Sequence, residues 1–258
     1  MRTAICVSGL PRFPEGYKSL MDLKHHLHGP TEIDWYFYLW DIKEDKKWIS
    51  WVKENLNTIE IVSTPTPEFN SELNKEAYEE VIRRRGYFTV KPQNIYCMFH
   101  GIDECNKLTK KSPNPYDVVI RTRLDLLYNS HFYFDDLAFK EGRGSHLVVP
   151  NNADQWALWQ HTTQQEIFRG RAVNDQFAIA IPAIMDEYAN CFSYLDHLIL
   201  AENGTDKSIS AESLLYNHLH NQRVAIQPAS IFSFRNIIRY HGTVDDERVF
   251  VDDRGTEL

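Results

Sequence analysis

The stretch Tyr116–Asp125, YDVVIRTRLD, joins the pattern of a buried strand to charges that a protein core accepts only with partners. Its β-branched run, Val118–Ile120, is typical of a central parallel strand covered on both faces. Side chains alternate along a strand, so Arg121, Arg123 and Asp125 are predicted to project to one side near its carboxyl end. The stretch therefore predicts a buried strand that ends in a group of charges.

The two arginines of this stretch need negative partners, because burying an unpaired guanidinium costs several kcal/mol. Those partners are either protein carboxylates or a bound anion. In open α/β sheets, ligands bind just beyond the carboxyl ends of the strands. Arg121 and Arg123 therefore predict an anion-binding site, and a structural ion pair with Asp125 is the alternative.

Strands and helices alternate along the chain in the way that βαβ units require. Strands are predicted at 2–8, 33–39, 58–62, 118–120, 147–149, 177–181, 224–227 and 232–239, and helices at 17–27, around 48–52, and at 71–85, 93–110, 184–195 and 210–220. The segment 150–174 is predicted either to face the substrate or to be an ordinary surface connection. We expect one α/β domain, residues 1–244, with a mainly parallel, Rossmann-like sheet flanked by helices, and an acidic tail at 245–258.

Composition narrows the class of protein without deciding it. The 258 residues are 43% hydrophobic and 25% charged, and the net charge of −8 argues against a nucleic-acid-binding surface. No apolar run approaches the roughly 20 residues of a membrane span, and the first residues lack the apolar core of a signal peptide. With four scattered cysteines that suit reduced thiols, these features predict a cytoplasmic protein.

Four motifs occur in a fixed order. They are AICVSG at Ala4–Gly9 followed by Arg12, IDWYFYLWD at Ile33–Asp41, DVVIRTRLD at Asp117–Asp125 and NDQFAI at Asn174–Ile179, with AESLL at Ala211–Leu215 after them. In this order, over Ala4 to about Leu219, the chain resembles the WavE-like lipopolysaccharide-synthesis proteins and their relatives in bacteria and large DNA viruses. The resemblance implies a GT-A-type glycosyltransferase, which moves a sugar from a UDP- or GDP-linked donor to a glycan or saccharide acceptor.

Residues after the first two strands are candidates for binding the donor. Gly9 lets a ligand approach the backbone and Arg12 can hydrogen-bond phosphate or base, although a tight structural turn explains the same residues. For Asp41 the resemblance implies hydrogen bonds to ribose or uracil, and a helix cap is the alternative. Trp40 is a candidate stacking surface for base or sugar.

The sequence departs from the best-known GT-A pattern at the metal site, where two aspartates flank one residue and chelate manganese. Arg123 stands where the first aspartate would be, which leaves Asp125 as a lone carboxylate. A divalent cation, Mn²⁺ or Mg²⁺, would need further oxygens from phosphate and water, or a distant ligand such as His241. Alternatively Arg121 and Arg123 neutralise the diphosphate without a metal, and His241 is a surface histidine.

Two acidic residues are candidates for activating the acceptor hydroxyl. Asp175 precedes a predicted strand, so its carboxylate can reach over the sheet and act as a general base. Glu212 is the second candidate. The alternatives are that Asp175 only binds acceptor hydroxyls and that Glu212 is an ordinary acid in the first turn of a helix.

Two further functions stay open. The run Gly9–Arg12, GLPR, also resembles the donor loop of sulfotransferases, but Phe13–Glu15 stands where that loop has small hydroxyl residues that would bind phosphate. The third possibility is a nucleotide- or carbohydrate-binding protein that kept the fold without catalysis.

Overall fold

The computed structural model describes most of the chain, with gaps that include several predicted site residues. The described residues are 1–9, 17–29, 32–40, 46–68, 75, 79–80, 87–88, 91–124, 126–128, 131–134, 146–150, 173–202, 208–229, 234–237, 239–241 and 249–251.

A seven-stranded sheet forms the centre of the molecule. Its strands, in spatial order, are β4 (Thr58–Thr64), β3 (Glu32–Trp40), β1 (Arg2–Gly9), β6 (Val118–Thr122), β10 (Ala178–Ala180), β9 (His146–Pro150) and β12 (Ala225–Ala229). Neighbours pair in parallel except at β10, which is antiparallel to both β6 and β9. The prediction of an α/β fold with a mainly parallel sheet is confirmed.

Helices cover both faces of this sheet. The described helices are α1 (Tyr17–His26), α2 (Lys46–Asn55), α3 (Pro92–Thr109), α4 (Pro182–Ala189), α5 (Cys191–Glu202) and α6 (Ala211–Asn221). The other described strands form two-stranded sheets outside the central sheet. These pairs are β2 (Leu27–His28) with β8 (Phe132–Tyr133), β5 (Tyr87–Phe88) with β11 (Ser208–Ile209), β7 (Leu126–Tyr128) with β13 (Phe234–Ile237), and β14 (Arg239–His241) with β15 (Val249–Val251). None of the described helices is long and apolar enough to cross a lipid bilayer.

The alternation of side chains along β1 divides the core into two layers. Ala4 and Cys6 face one side and pack with α3 and α4 to α6, whereas Ile5 and Val7 face the other side and pack with α1 and α2. All four side chains are at most 3% exposed. A strand that is buried on both faces reads as a continuous apolar run, which explains the sequence of β1.

Strand β6 lies near the middle of the sheet, between β1 and β10. Val118, Val119 and Ile120 are at most 1% exposed, as their β-branched run predicted. Only one neighbour of β6 is parallel, however, because β10 runs in the opposite direction. The reversal brings the segment before β10 to the carboxyl end of β6.

A few predicted elements differ from the structure. The helix predicted at 184–195 is two helices, α4 and α5, which are separated at Asn190, a residue with low helix propensity. The strand predicted at 232–239 is divided between β13 and β14. Most of the helix predicted at 71–85, and residues 151–172 of the predicted excursion, lie outside the described residues. Strand β15 falls in the predicted acidic tail, and the division of the chain at 244 stays a prediction.

A polar network joins the amino ends of the central strands. Arg2 donates to Asp34 at 2.5 Å, and Tyr116 donates to the same carboxylate at 2.7 Å. Asn57 donates to the other Asp34 oxygen at 2.5 Å, and the hydroxyl of Tyr36 lies 2.7 Å from that of Tyr116. Asp34 is 3% exposed, so these donors compensate the cost of burying its charge.

Candidate active site

The order of the strands reverses between β1 and β6. From β1 the chain passes to β3 and β4 on one side, and then returns to β6 on the other side of β1. Connections that leave two neighbouring parallel strands in opposite directions open a crevice beyond their carboxyl ends, where open α/β sheets bind ligands. Gly9 ends β1, and Arg123 follows β6 directly, so both residues border this point.

Gly9 has a φ of +124°, a conformation that side-chain-bearing residues rarely adopt. A Cβ atom built on Gly9 would meet no atom of the described residues within 4 Å. The glycine is therefore needed for its backbone conformation and not to relieve crowding. Open space over its backbone fits a close approach by a ligand, the role predicted for Gly9, and that role stays a prediction.

The two arginines at the end of β6 differ in their exposure. Arg121 is 2% exposed, and its Nη1 donates to the backbone carbonyl of Gln176, just before β10. Arg123 is partly exposed. The charge of Arg123 acts on Glu212 and on Tyr188, where it opposes the rise in pKa that burial causes at both groups. Arg123 is thus the arginine of the pair with surface available to a ligand.

Asp175 lies at the same edge of the sheet, because the antiparallel β10 starts beside the carboxyl end of β6. Ala178 pairs with Arg121, which sets the preceding residues next to the arginines. Asp175 is 6% exposed and lies in a turn in which Asn174 Oδ1 accepts from the backbone N–H of Gln176 at 2.8 Å. The predicted acid and the predicted arginines are therefore brought together.

Glu212 joins this group from the first turn of α6. Ser210 caps the helix, accepting from the backbone N–H of Ser213 at 3.1 Å, and the backbone N–H of Val173 donates to the carbonyl of Glu212 at 3.1 Å. Burial, followed by the like charge of Asp175, raises the pKa of Glu212 to about 7. The carboxyl of Glu212 is therefore able to hold a proton at a higher pH than an ordinary glutamate.

The other predicted site residues are either packed in the core or have side chains outside the described residues. Trp40 is 6% exposed and packs on α3, with its Cζ2 atom 2.9 Å from where a Cβ of Gly101 would lie. Arg12, Asp41 and Asp125 lie outside the described residues. His241 ends β14, and its side chain is likewise not described. The roles predicted for these five residues stay predictions.

A metal site was predicted at Asp125 and His241. Over the residues that the structure describes, no group of three or more histidine, cysteine, aspartate or glutamate side chains is arranged to hold a metal ion. The side chains of both predicted ligands lie outside the described residues, and the metal site stays a prediction.

Sequence reasoning missed Tyr188, a residue of α4. Its side chain is fully buried, and its hydroxyl donates to the backbone carbonyl of Asp175 at 3.2 Å. The charges of Arg121, Asp175 and Arg123 all act on this hydroxyl. A tyrosine in an amphipathic helix is ordinary core composition, so no local signal in the sequence distinguished it.

Comparisons with known proteins give similarity to solved structures only. No family model matches the chain, and no curated protein matches it. Among solved structures, the chain is similar to mouse xyloside xylosyltransferase 1 in its apo form, with 11% sequence identity and a TM-score of 0.42. The match covers 88% of this chain and 84% of that chain. The resemblance to WavE-like proteins stays a prediction.

Proposed function

We propose that the protein is a glycosyltransferase that moves a sugar from a nucleotide-sugar donor, UDP- or GDP-linked, to a glycan or saccharide acceptor, on a GT-A-type fold. The proposal depends on one observation: Arg123, Asp175 and Glu212 come together from three separate segments beside the reversal of strand order at Gly9. Cationic and acidic groups that meet at such a crevice suit transfer from a diphosphate leaving group to a hydroxyl.

The donor's diphosphate would lie over the end of β1. None of the described residues comes within 4 Å of a Cβ built on Gly9, so they leave space for it there, and the partly exposed guanidinium of Arg123 contacts its oxygens. Charge on the diphosphate increases as the bond to the sugar breaks, so a fixed cation stabilises the transition state more than the ground state. Arg12 and Asp41 are proposed to bind the nucleotide.

The acceptor hydroxyl would lie beside Asp175. The carboxylate takes the hydroxyl proton, the acceptor oxygen forms a bond to the anomeric carbon, and the bond from that carbon to the diphosphate oxygen breaks, releasing the nucleoside diphosphate. Glu212, whose pKa is raised to about 7, is the second candidate for the base. A bound Mn²⁺ or Mg²⁺ at Asp125 and His241 would add charge neutralisation, and the roles given to the other residues do not depend on it.

The first test is ligand-induced stabilisation. Thermal unfolding is followed with UDP, GDP and adenosine bisphosphate, each with and without Mn²⁺. A specific ligand at a hundred times its dissociation constant stabilises a protein by about 2.7 kcal/mol. We expect UDP or GDP to raise the melting temperature, whereas stabilisation by adenosine bisphosphate alone would identify the sulfotransferase alternative.

The second test is turnover of a panel of UDP- and GDP-sugars, measured by release of nucleoside diphosphate with and without saccharide acceptors. We expect release of nucleoside diphosphate from at least one of these donors. Binding of a sugar nucleotide with no release in any combination would contradict the enzyme and favour the binding protein.

A further inference from the structure

The turn that contains Asp175 lies outside the hydrogen-bonded ladder of the sheet, so its conformation depends on other contacts. Asn174 Oδ1 accepts from the backbone N–H groups of Gln176 at 2.8 Å and Phe177 at 3.3 Å. This closes a local turn of the kind that asparagine favours. The local bonds set the shape of the turn, but they do not fix its position relative to the rest of the site.

Three other elements fix that position. The hydroxyl of Tyr188, from α4, donates to the carbonyl of Asp175 at 3.2 Å, and Nη1 of Arg121, from β6, donates to the next carbonyl, that of Gln176. On the amino side, the N–H of Val173 donates to the carbonyl of Glu212 in α6 at 3.1 Å. Consecutive carbonyls of one turn are thus bound by two buried side chains.

We propose that Tyr188 and Arg121 are positioning residues, which hold the turn 174–177 so that Asp175 stays beside Glu212 and Arg123. The importance of this positioning for catalysis rests on the proposed function. Its effect on the distance between Asp175 and Glu212 does not. A misplacement of about 1 Å can cost a hundredfold in rate, so a reacting carboxylate on a turn needs such support.

Burial and hydrogen bonding suit both residues to a supporting role. Tyr188 is fully buried and Arg121 is 2% exposed, and each side chain donates to a backbone carbonyl of the turn. Burial also raises the pKa of Tyr188 well above its ordinary value, which keeps the hydroxyl protonated as a donor. The diphosphate contact predicted for Arg121 from the sequence stays a prediction, and in the proposed function Arg123 makes that contact.

The test is Tyr188→Phe, which removes one hydroxyl and keeps the packing of the ring. Tyr36→Phe is the matched control, because Tyr36 is 1% exposed and its hydroxyl is bonded to that of Tyr116 at 2.7 Å, away from the turn. Side-chain carboxyl resonances of Glu212 are followed by NMR from pH 4 to pH 9 in both variants and the wild type.

In Tyr188→Phe we expect Asp175 to move away from Glu212, which weakens the repulsion between the two acids and lowers the apparent pKa of Glu212 by about half a unit or more. Tyr36→Phe should leave the titration unchanged. An unchanged titration in Tyr188→Phe, or the same shift in both variants, would overturn the positioning role even if the enzyme is a glycosyltransferase.

Turnover provides the second readout once a donor is known. Tyr188→Phe should lower kcat about tenfold to a hundredfold and change KM for the donor less than twofold, because the donor does not contact the turn. A rise in KM at constant kcat would contradict the proposal. If the wild type turns over no donor while the titration shifts as expected, the proposed function fails and the positioning role stands.

Discussion

Among single side chains, the pairing of Asp175 with Glu212 is the most consequential arrangement. Burial and the neighbouring Asp175 raise the pKa of Glu212 to about 7. Groups with such displaced titration cluster at functional sites, although structural pairs show it as well. Substitution of each acid distinguishes a functional pair from a structural one.

Asp175→Asn should lower turnover by a factor of about a hundred to ten thousand, because the amide cannot accept the proton of the acceptor hydroxyl. The rate of sugar transfer measures this effect. Asp186→Asn is the control, since Asp186 accepts from Asn106 at 2.7 Å and pairs with Lys110 at 3.0 Å on the surface of α4. A near-native rate in Asp175→Asn would exclude the role as base.

Glu212→Gln should change how stability depends on pH. A carboxyl with a pKa of about 7 in the folded state and an ordinary value near 4.5 in the unfolded state binds more protons when folded, so the wild type loses stability as pH rises from about 4.5 to 7. The glutamine does not titrate, so its stability relative to wild type should be higher at pH 8 than at pH 4.5, by on the order of 1–3 kcal/mol.

Urea unfolding at several pH values measures this difference. Glu54→Gln, on the exposed surface of α2, controls for the general effect of removing a negative charge. A difference between wild type and Glu212→Gln that does not vary with pH would contradict the raised pKa.

Among helices and strands, the contact of α3 with the end of β3 depends on the absence of a side chain. At Gly101 a Cβ would lie 2.9 Å from Cζ2 and 3.3 Å from Cη2 of Trp40. The glycine therefore lets the helix lie close to the indole, even though glycine is unfavourable inside a helix. This close packing fixes the position of Trp40, which ends β3 at the carboxyl edge of the sheet.

Gly101→Ala should destabilise the wild type by up to about 2 kcal/mol, because crowding in a packed core outweighs a gain of about 1 kcal/mol in helix propensity. In a Trp40→Phe background, the atoms that crowd the new methyl group are absent, so the same change should be neutral or stabilising. Urea unfolding of the four proteins gives the coupling energy. Equal effects of Gly101→Ala in both backgrounds would refute the contact.

For the molecule as a whole, the polar network around Asp34 and the candidate site lie at opposite edges of one sheet. The network around Asp34 joins the amino ends of β1 and β3 to Tyr116, which precedes β6, whereas the proposed site lies at the carboxyl ends of β1 and β6. Changes at the amino edge should therefore reduce stability without altering the chemistry.

Asp34→Ala should cost about 3 kcal/mol of unfolding free energy, since it removes a buried carboxylate from Arg2, Tyr116 and Asn57. Glu32→Ala is the control: Glu32 lies 3.6 Å from Arg2 but is 69% exposed, so its loss should cost less than about 1 kcal/mol. Under conditions where each variant is folded, kcat should equal the wild-type value. A reduced kcat in folded Asp34→Ala would contradict the separation of the two edges.

Local sequence patterns were sufficient for most of the elements. The continuous apolar runs of β1 and β6 require burial on both faces, and the alternation of such strands with amphipathic helices requires a mainly parallel sheet. The same reasoning set Gly9, Arg121 and Arg123 at the carboxyl edge, because the end of a strand is a local property. These features are encoded in residues that are neighbours along the chain.

The tertiary structure decided which side chains meet. The direction of β10 is not readable from three residues, Ala178–Ala180, yet its reversal is what brings Asp175 beside Arg121. The burial of Arg121 and its bond to Gln176, and the raised pKa of Glu212, likewise depend on contacts between segments far apart in the chain. Periodicity and propensity record only local preferences, whereas hydrogen bonding and desolvation are set by packing, so the partners of these groups exist only in the folded chain.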